Sequence, residues 1–153
     1  MNKTWLISAF HGCGKTTASR TLKGQINVID LESLSFHNSD FPQNYIEHIK
    51  ENIGKQDVIL ISAHETVRKA LNKEGLEYFL FYPSVRRKDE FLDLYYRRGN
   101  SEAFINTLDK HFESVVENCQ NDSSPNKIEL NKEGEFLLTN SIFQKIIEEI
   151  KNS

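Results

Sequence analysis

Residues 9–17, Ala9-Phe10-His11-Gly12-Cys13-Gly14-Lys15-Thr16-Thr17, decide the fold, together with the apolar run Trp5-Leu6-Ile7-Ser8-Ala9-Phe10 that leads into them. The run is short and apolar, so it reads as a buried strand. Glycines at 12 and 14 let the backbone turn its amide N–H groups into a concave nest. The segment from Thr16 to about Lys23 suits a helix that Gly24 stops. A helix starting at this point aims its positive end at the nest. Strand, glycine turn and helix in this order predict an anion-binding loop.

The spacing matches the phosphate-loop pattern Gly-x-x-x-x-Gly-Lys-Ser/Thr except that Ala9 replaces the first glycine. His11, Gly12, Cys13, Gly14, Lys15, Thr16 and Thr17 are therefore the expected phosphate-binding residues. Lys15 supplies a point charge for the terminal phosphates. The Thr16 hydroxyl suits a magnesium ion that bridges them.

Outward from the loop, strands and helices alternate. Gln25–Asp30 reads as a second strand and Leu31–Asp40 as irregular. Phe41-Pro42 opens a helix near Gln43–Asn52, with Gly54 as its stop. Asp57–Ala63 is a third strand, apolar throughout, as when both sheet faces are covered. A helix over His64–Lys73 follows, then a strand at Tyr78–Tyr82 that Pro83 closes. Lys88 to about Arg97 is helical, Gly99-Asn100 breaks it, and a longer helix runs from Ser101 to about Cys119. Lys127–Leu130 is a fifth strand, and Asn140 or Ser141 caps a last helix, Ile142–Lys151. This alternation predicts a three-layer α/β domain over residues 1–153, with a parallel sheet and right-handed crossovers.

Several side chains fall where ligands collect, beyond the carboxyl ends of parallel strands. Asp30 and Glu32 follow the second strand. Either suits a magnesium-bound water, an attacking hydroxyl or a sugar hydroxyl. Ser62 and His64 end the third strand, where no Asp stands, and Arg68 lies one helical turn on as a candidate phosphate contact. Arg86 and Arg87 follow the fourth strand. Arg97 and Arg98 precede the Gly99-Asn100 break, which predicts a hinged lid over about 84–104 with Arg98 as its cation. Phe36 and Phe41 flank the expected substrate site, where either ring suits stacking on a base.

The bulk properties bound the function. The chain has 153 residues, 38% hydrophobic and 27% charged, with a formal net charge of −3. That balance lacks the basic excess of a nucleic-acid binder. Two cysteines, Cys13 and Cys119, make neither a disulfide framework nor a metal-ligand pattern. No apolar run approaches the ~20 residues of a membrane span. The apolar stretch near Met1 is too brief for a signal-peptide core, so a cytoplasmic location without a membrane partner is expected.

The whole pattern resembles the nucleoside- and nucleotide-kinase branch of P-loop proteins, the group of adenylate kinase, shikimate kinase and gluconate kinase. Three features carry the resemblance: Gly12-Cys13-Gly14-Lys15-Thr16-Thr17, Ile29-Asp30-Leu31-Glu32, and Tyr95-Tyr96-Arg97-Arg98-Gly99 with Phe104 following. The acidic segment Ile29-Asp30-Leu31-Glu32 resembles the Asp-x-Asp of shikimate kinase, with Glu32 in the place of the latter acid. The segment with Arg97-Arg98 resembles the arginine-bearing lid of small-molecule kinases. Phe41-Pro42-Gln43-Asn44-Tyr45-Ile46 is similar to a segment of small phage-encoded nucleotide kinase-like proteins. The resemblance implies a five-stranded parallel sheet in the order 2-3-1-4-5, bound ATP and Mg2+, and transfer of the terminal phosphoryl group. Lys15, Asp30 and Arg98 are then the expected catalytic residues, and Asp30, Glu32, Phe41 and Arg68 the expected substrate contacts. The acceptor is expected to be a nucleoside or nucleoside monophosphate. A sugar-like acceptor, or a nucleotide sensor with little catalysis that acts through a protein partner, is the alternative.

Overall fold

The computed structural model describes residues 3–36 and 38–153, with the backbone only for Leu34 and Ser35; His37, within the expected irregular segment, lies outside the described residues. The chain alternates β1 (Trp5–Ala9), α1 (Lys15–Leu22), β2 (Val28–Asp30), α2 (Gln43–Asn52), β3 (Val58–Ser62), α3 (Glu65–Lys73), β4 (Phe79–Pro83), α4 (Lys88–Arg97), α5 (Glu102–Gln120), β5 (Lys127–Leu130) and α6 (Ser141–Lys151). Short 3-10 turns occupy Ser33–Phe36, Val85–Arg87 and Leu137–Thr139.

The strands form one all-parallel sheet in the order β2-β3-β1-β4-β5, the order that the resemblance implies. β1 lies in the middle, with Trp5 opposite Val58, Ala9 opposite Ser62, and Ile7 opposite Phe79. Its neighbours explain its composition: Ile7 and Ala9 are wholly buried, as are Val58, Ile59, Leu60 and Ile61 of β3. Both sheet faces are covered, so these strands carry continuous apolar runs rather than an alternation. α1 sits beside the turn Leu137–Thr139, and Lys151 of α6 reaches Gln25 just past α1. α2 packs on α3, and α5 lies against β4. The change of direction at β1 puts the carboxyl ends of β1, β3 and β4 side by side at the point where such sheets open a crevice.

Two boundaries differ from the sequence reading for a physical reason. β2 starts at Val28 rather than Gln25, because the N–H groups of Gln25 and Ile26 both donate to the Leu22 carbonyl in the turn that ends α1. Within the expected irregular stretch, Ser33–Phe36 coil into a 3-10 turn. α2 holds that stretch in place. The buried Tyr45 hydroxyl donates to the Leu31 carbonyl (2.9 Å) and accepts from the Ser62 N–H (3.1 Å), joining the ends of β2 and β3. Among the described residues no helix is long and apolar enough to cross a membrane.

Candidate functional site

The glycine loop between β1 and α1 has the geometry its composition predicts. Gly12 and Gly14 adopt φ of 90° and 95°, a region that L side chains rarely enter. A Cβ at Gly12 would also stand 2.8 Å from a ring carbon of Tyr95. Gly14 is the residue before α1 and offers no side-chain cap, so the first-turn N–H groups of α1 have no side-chain acceptor there. Such a helix start receives an anion. The loop is clamped from two sides. The Tyr95 hydroxyl donates to the His11 carbonyl (2.7 Å), and the Leu137 N–H donates to the Cys13 carbonyl (3.0 Å). Cys13 is fully buried beneath the loop, and burial pushes its thiol up to about 12. It is a packing residue and, like Cys119, is free.

Lys15 opens α1 and folds back, its Nζ donating to the Ala9 carbonyl at 3.0 Å. Burial holds its pKa below the ordinary lysine value, against the pull of Cys13, Asp30 and Glu32. Next to it the Thr16 hydroxyl donates to Asp30 Oδ2 at 3.1 Å. The other carboxylate oxygen, Asp30 Oδ1, is buried with no hydrogen-bond partner among the described residues. A buried oxygen without a donor is costly unless a cation or water meets it. Among the described residues no three His, Cys, Asp or Glu side chains form a metal cluster. The hydroxyl–carboxylate pair instead suits a hard cation that keeps most of its ligands from water and phosphate oxygens. This placement separates the two acidic residues. Asp30 turns toward Thr16, whereas Glu32 is exposed, without an ion pair among the described residues, at the rim.

His11 and Arg98 both border the cleft. The His11 ring lies 5.2 Å from that of Tyr95 and 5.8 Å, edge-on, from that of Phe104. Surrounding protein, then the charges of Lys15 and Arg98, lower its pKa from 6.5 to about 4, so the imidazole is neutral at pH 7. Arg98 is exposed, ends α4, and is followed by Gly99 with a φ of 81°.

These residues form one end of a cleft of about 1090 Å³, which holds His11, Gly12, Gly14, Lys15, Thr16, Thr17, Glu32 and Arg98. Its other walls are the end of β3 with the start of α3 (Ser62 to Thr66) and the inner face of α5. Sequence reasoning missed that face. Phe104, Leu108, His111 and Val115 follow one another at helical spacing, and the signal was present as a stripe that also reads as core.

Three expectations are corrected. Arg68 borders the cleft but is buried, with each of its three guanidinium nitrogens hydrogen-bonded within the protein. It donates to the Ala63 carbonyl (2.8 Å), to Asp122 Oδ1 (2.7 Å) and to the Asn118 side chain, so it anchors α3 to the end of α5. Phe41 does not line the cleft; its ring packs 6.0 Å from that of Tyr45, and Phe36 packs on the same tyrosine at 5.2 Å. The segment 84–104 is not a free-standing lid, because Phe91 and Tyr95 of α4 are wholly buried in the core. Arg87 is likewise internal, paired with Glu90 and donating to the carbonyls of Leu130 and Glu135. What overhangs the loop is the corner from Arg97 to Phe104. Of the other expected residues, His11, Gly12, Gly14, Lys15, Thr16, Thr17, Glu32 and Arg98 border the cleft, Asp30 meets it through Thr16, and the Cys13 side chain is buried beneath the loop. No family model matches the chain, and no curated protein matches it in sequence.

Proposed function

We propose that the protein is a P-loop phosphotransferase that moves the terminal phosphoryl group of ATP, with Mg2+, to the hydroxyl of a small molecule of the nucleoside or nucleotide class. One observation carries this reading. An uncapped helix start, a folded-back lysine and a hydroxyl–carboxylate pair with an unpartnered buried oxygen meet at one end of a cleft large enough for two small molecules. Each part answers a need of phosphoryl transfer, which is mostly positioning and charge compensation. The loop N–H groups and Lys15 hold the phosphates of the donor. Thr16 and Asp30 hold magnesium, which neutralises charge shared by the two terminal phosphates. Arg98 reaches from the corner toward the group in transit, where a fixed fork of donors meets developing charge. The cleft beyond the loop, walled by α5, receives the acceptor, and Glu32 at its rim is placed to take the hydroxyl proton.

The test is a thermal-shift titration. ATP with magnesium should raise the melting temperature of the parent protein by mass action. Lys15→Ala should lose most of that rise while unfolding at a similar temperature without ligand. A variant that keeps the full ATP-dependent rise would remove the loop from the phosphate site.

A further inference from the structure

The charge of the cleft walls says what kind of acceptor they fit. Four cations border the cleft: Lys15, Arg20, Arg68 and Arg98. Lys15 and Arg98 stand at the glycine loop, where the donor phosphates lie in the phosphotransfer reading. Arg68 is buried, its charge is paired with Asp122, and each of its three nitrogens is hydrogen-bonded within the protein. That leaves Arg20, an exposed side chain of α1 about one helical turn past Thr16. Against it stand two carboxylates on the same walls, Glu32 and Glu65, the latter engaged by Lys69 and by the Asn118 side chain. A phosphomonoester brings about 1.5–2 negative charges at neutral pH. A site for it gathers several unengaged arginines, and beyond the glycine loop this one presents, among the described residues, a single such arginine, Arg20, beside the Glu32 carboxylate.

The remaining wall is apolar. Phe104 and Val115 of α5 keep 38% and 40% of their surface exposed, large values for residues on the inner side of a helix that packs on a sheet. Both border the cleft, with Leu108 between them. Phe104 already stands edge-on to His11, so its position is set by the loop it adjoins. An apolar stripe facing an acidic rim suits a ligand with a flat ring and free hydroxyls. The ring covers the stripe, and the hydroxyls donate to carboxylates.

Resting on the phosphotransfer reading, we propose that the acceptor is uncharged: a nucleoside, with its base against Phe104 and Leu108 and its sugar hydroxyls toward Glu32, rather than a nucleoside monophosphate. In the step, the acceptor hydroxyl oxygen forms a bond to the γ-phosphorus. The bond from that phosphorus to the β–γ bridging oxygen breaks, and ADP leaves with the electron pair. The hydroxyl proton goes to the Glu32 carboxylate and from there to water.

The experiment has two arms that fail separately. Calorimetry with magnesium ATP tests the donor site; no binding there overturns the phosphotransfer reading and this inference with it. With ATP bound, ADP release is then measured with a panel of nucleosides and with their 5′-monophosphates at equal concentration. Nucleosides should accelerate release, and the monophosphates should be at least about tenfold poorer in kcat/KM, a discrimination worth one factor of ten in affinity. Phe104→Ala should raise the acceptor KM about tenfold, as for loss of one aromatic stacking contact, with ATP affinity near the parent value. Phe104→Trp, which keeps a ring, should restore the lower KM. A preference for monophosphates that Arg20→Gln abolishes overturns the proposal. So does silence from every nucleoside while ATP binds, or a loss of ATP affinity in Phe104→Ala in place of the acceptor effect.

Discussion

Asp30 has two oxygens in different surroundings: Oδ2 accepts from Thr16, and Oδ1 is buried and, among the described residues, unmet. If the pair holds a cation, Asp30→Asn replaces one negative ligand with a neutral one of the same shape. Turnover should then fall by about 10² or more, the scale for losing a group that meets transition-state charge. Half-maximal magnesium should rise, and ATP affinity without magnesium should stay near the parent value. Steady-state rates across a magnesium series, with calorimetry in chelator, read all three, and unchanged turnover removes Asp30 from the site. His11 gives a prediction of a different kind. Its folded pKa of about 4 lies below the unfolded value of 6.5, so the unfolded chain binds more protons between those limits. The His11 contribution is complete above pH 6.5 and is lost as the pH falls toward 4. Urea midpoints at about pH 5 and about pH 7.5 should differ less in His11→Gln than in the parent. Equal differences would show that the ring is as solvated as a free imidazole. The residues of the loop are legible in the sequence because their chemistry is local: glycine, lysine and threonine are read from adjacent positions. Arg68 is not, since its partner Asp122 lies far along the chain and nothing near Arg68 announces a buried carboxylate.

Between α4 and α5 the chain turns a corner at Gly99-Asn100, with Ser101 accepting from the Phe104 N–H and Asn100 donating to the Tyr95 carbonyl. Below the corner, α4 is fixed by Phe91 and Tyr95; above it, Arg97 and Arg98 are exposed. Arg97 is held by Asp93 at 2.8 Å, which leaves Arg98 as the cation that faces the cleft. A group that engages charge only as it develops lowers the barrier more than it tightens binding. Arg98→Ala should therefore reduce kcat by about 10²–10³ while ATP affinity changes far less. A loss of affinity with kcat retained would make it a ground-state phosphate contact instead. The break itself is legible, since Gly-Asn interrupts an otherwise continuous helical pattern. That α4 is core rather than lid is not. Its aromatic spacing is the same in either case, and the burial of Phe91 and Tyr95 distinguishes them.

At the scale of the whole molecule, the ion pair of Arg68 and Asp122 joins α3 to the segment after α5, with Tyr78 of the β4 approach donating to Asp122 Oδ2 at 2.6 Å. Both charged side chains are at most 5% exposed. Removing one partner strands the other, so Arg68→Leu should destabilise the fold by about 3–5 kcal/mol in urea unfolding. The remaining folded protein should bind ATP as the parent does. Intact stability with weakened ATP binding would return Arg68 to the phosphate site. The sheet order was within reach of the sequence: continuous apolar strands called for covered faces, and the resemblance supplied the arrangement. The apolar wall of the cleft was not, because it arises only when α5 is laid across from the ends of β1 and β3.

The clamp between the Leu137 N–H and the Cys13 carbonyl bears on how the protein is made. β1 leaves the ribosome before its hydrogen-bonding neighbours β3 and β4, and Leu137 emerges only after all five strands. Contacts so distant in sequence close late and slow folding. A nascent chain thus carries its glycine loop without the segment that braces it until all five strands have been made. Fragments that stall before Leu137 therefore expose a glycine loop that lacks this brace.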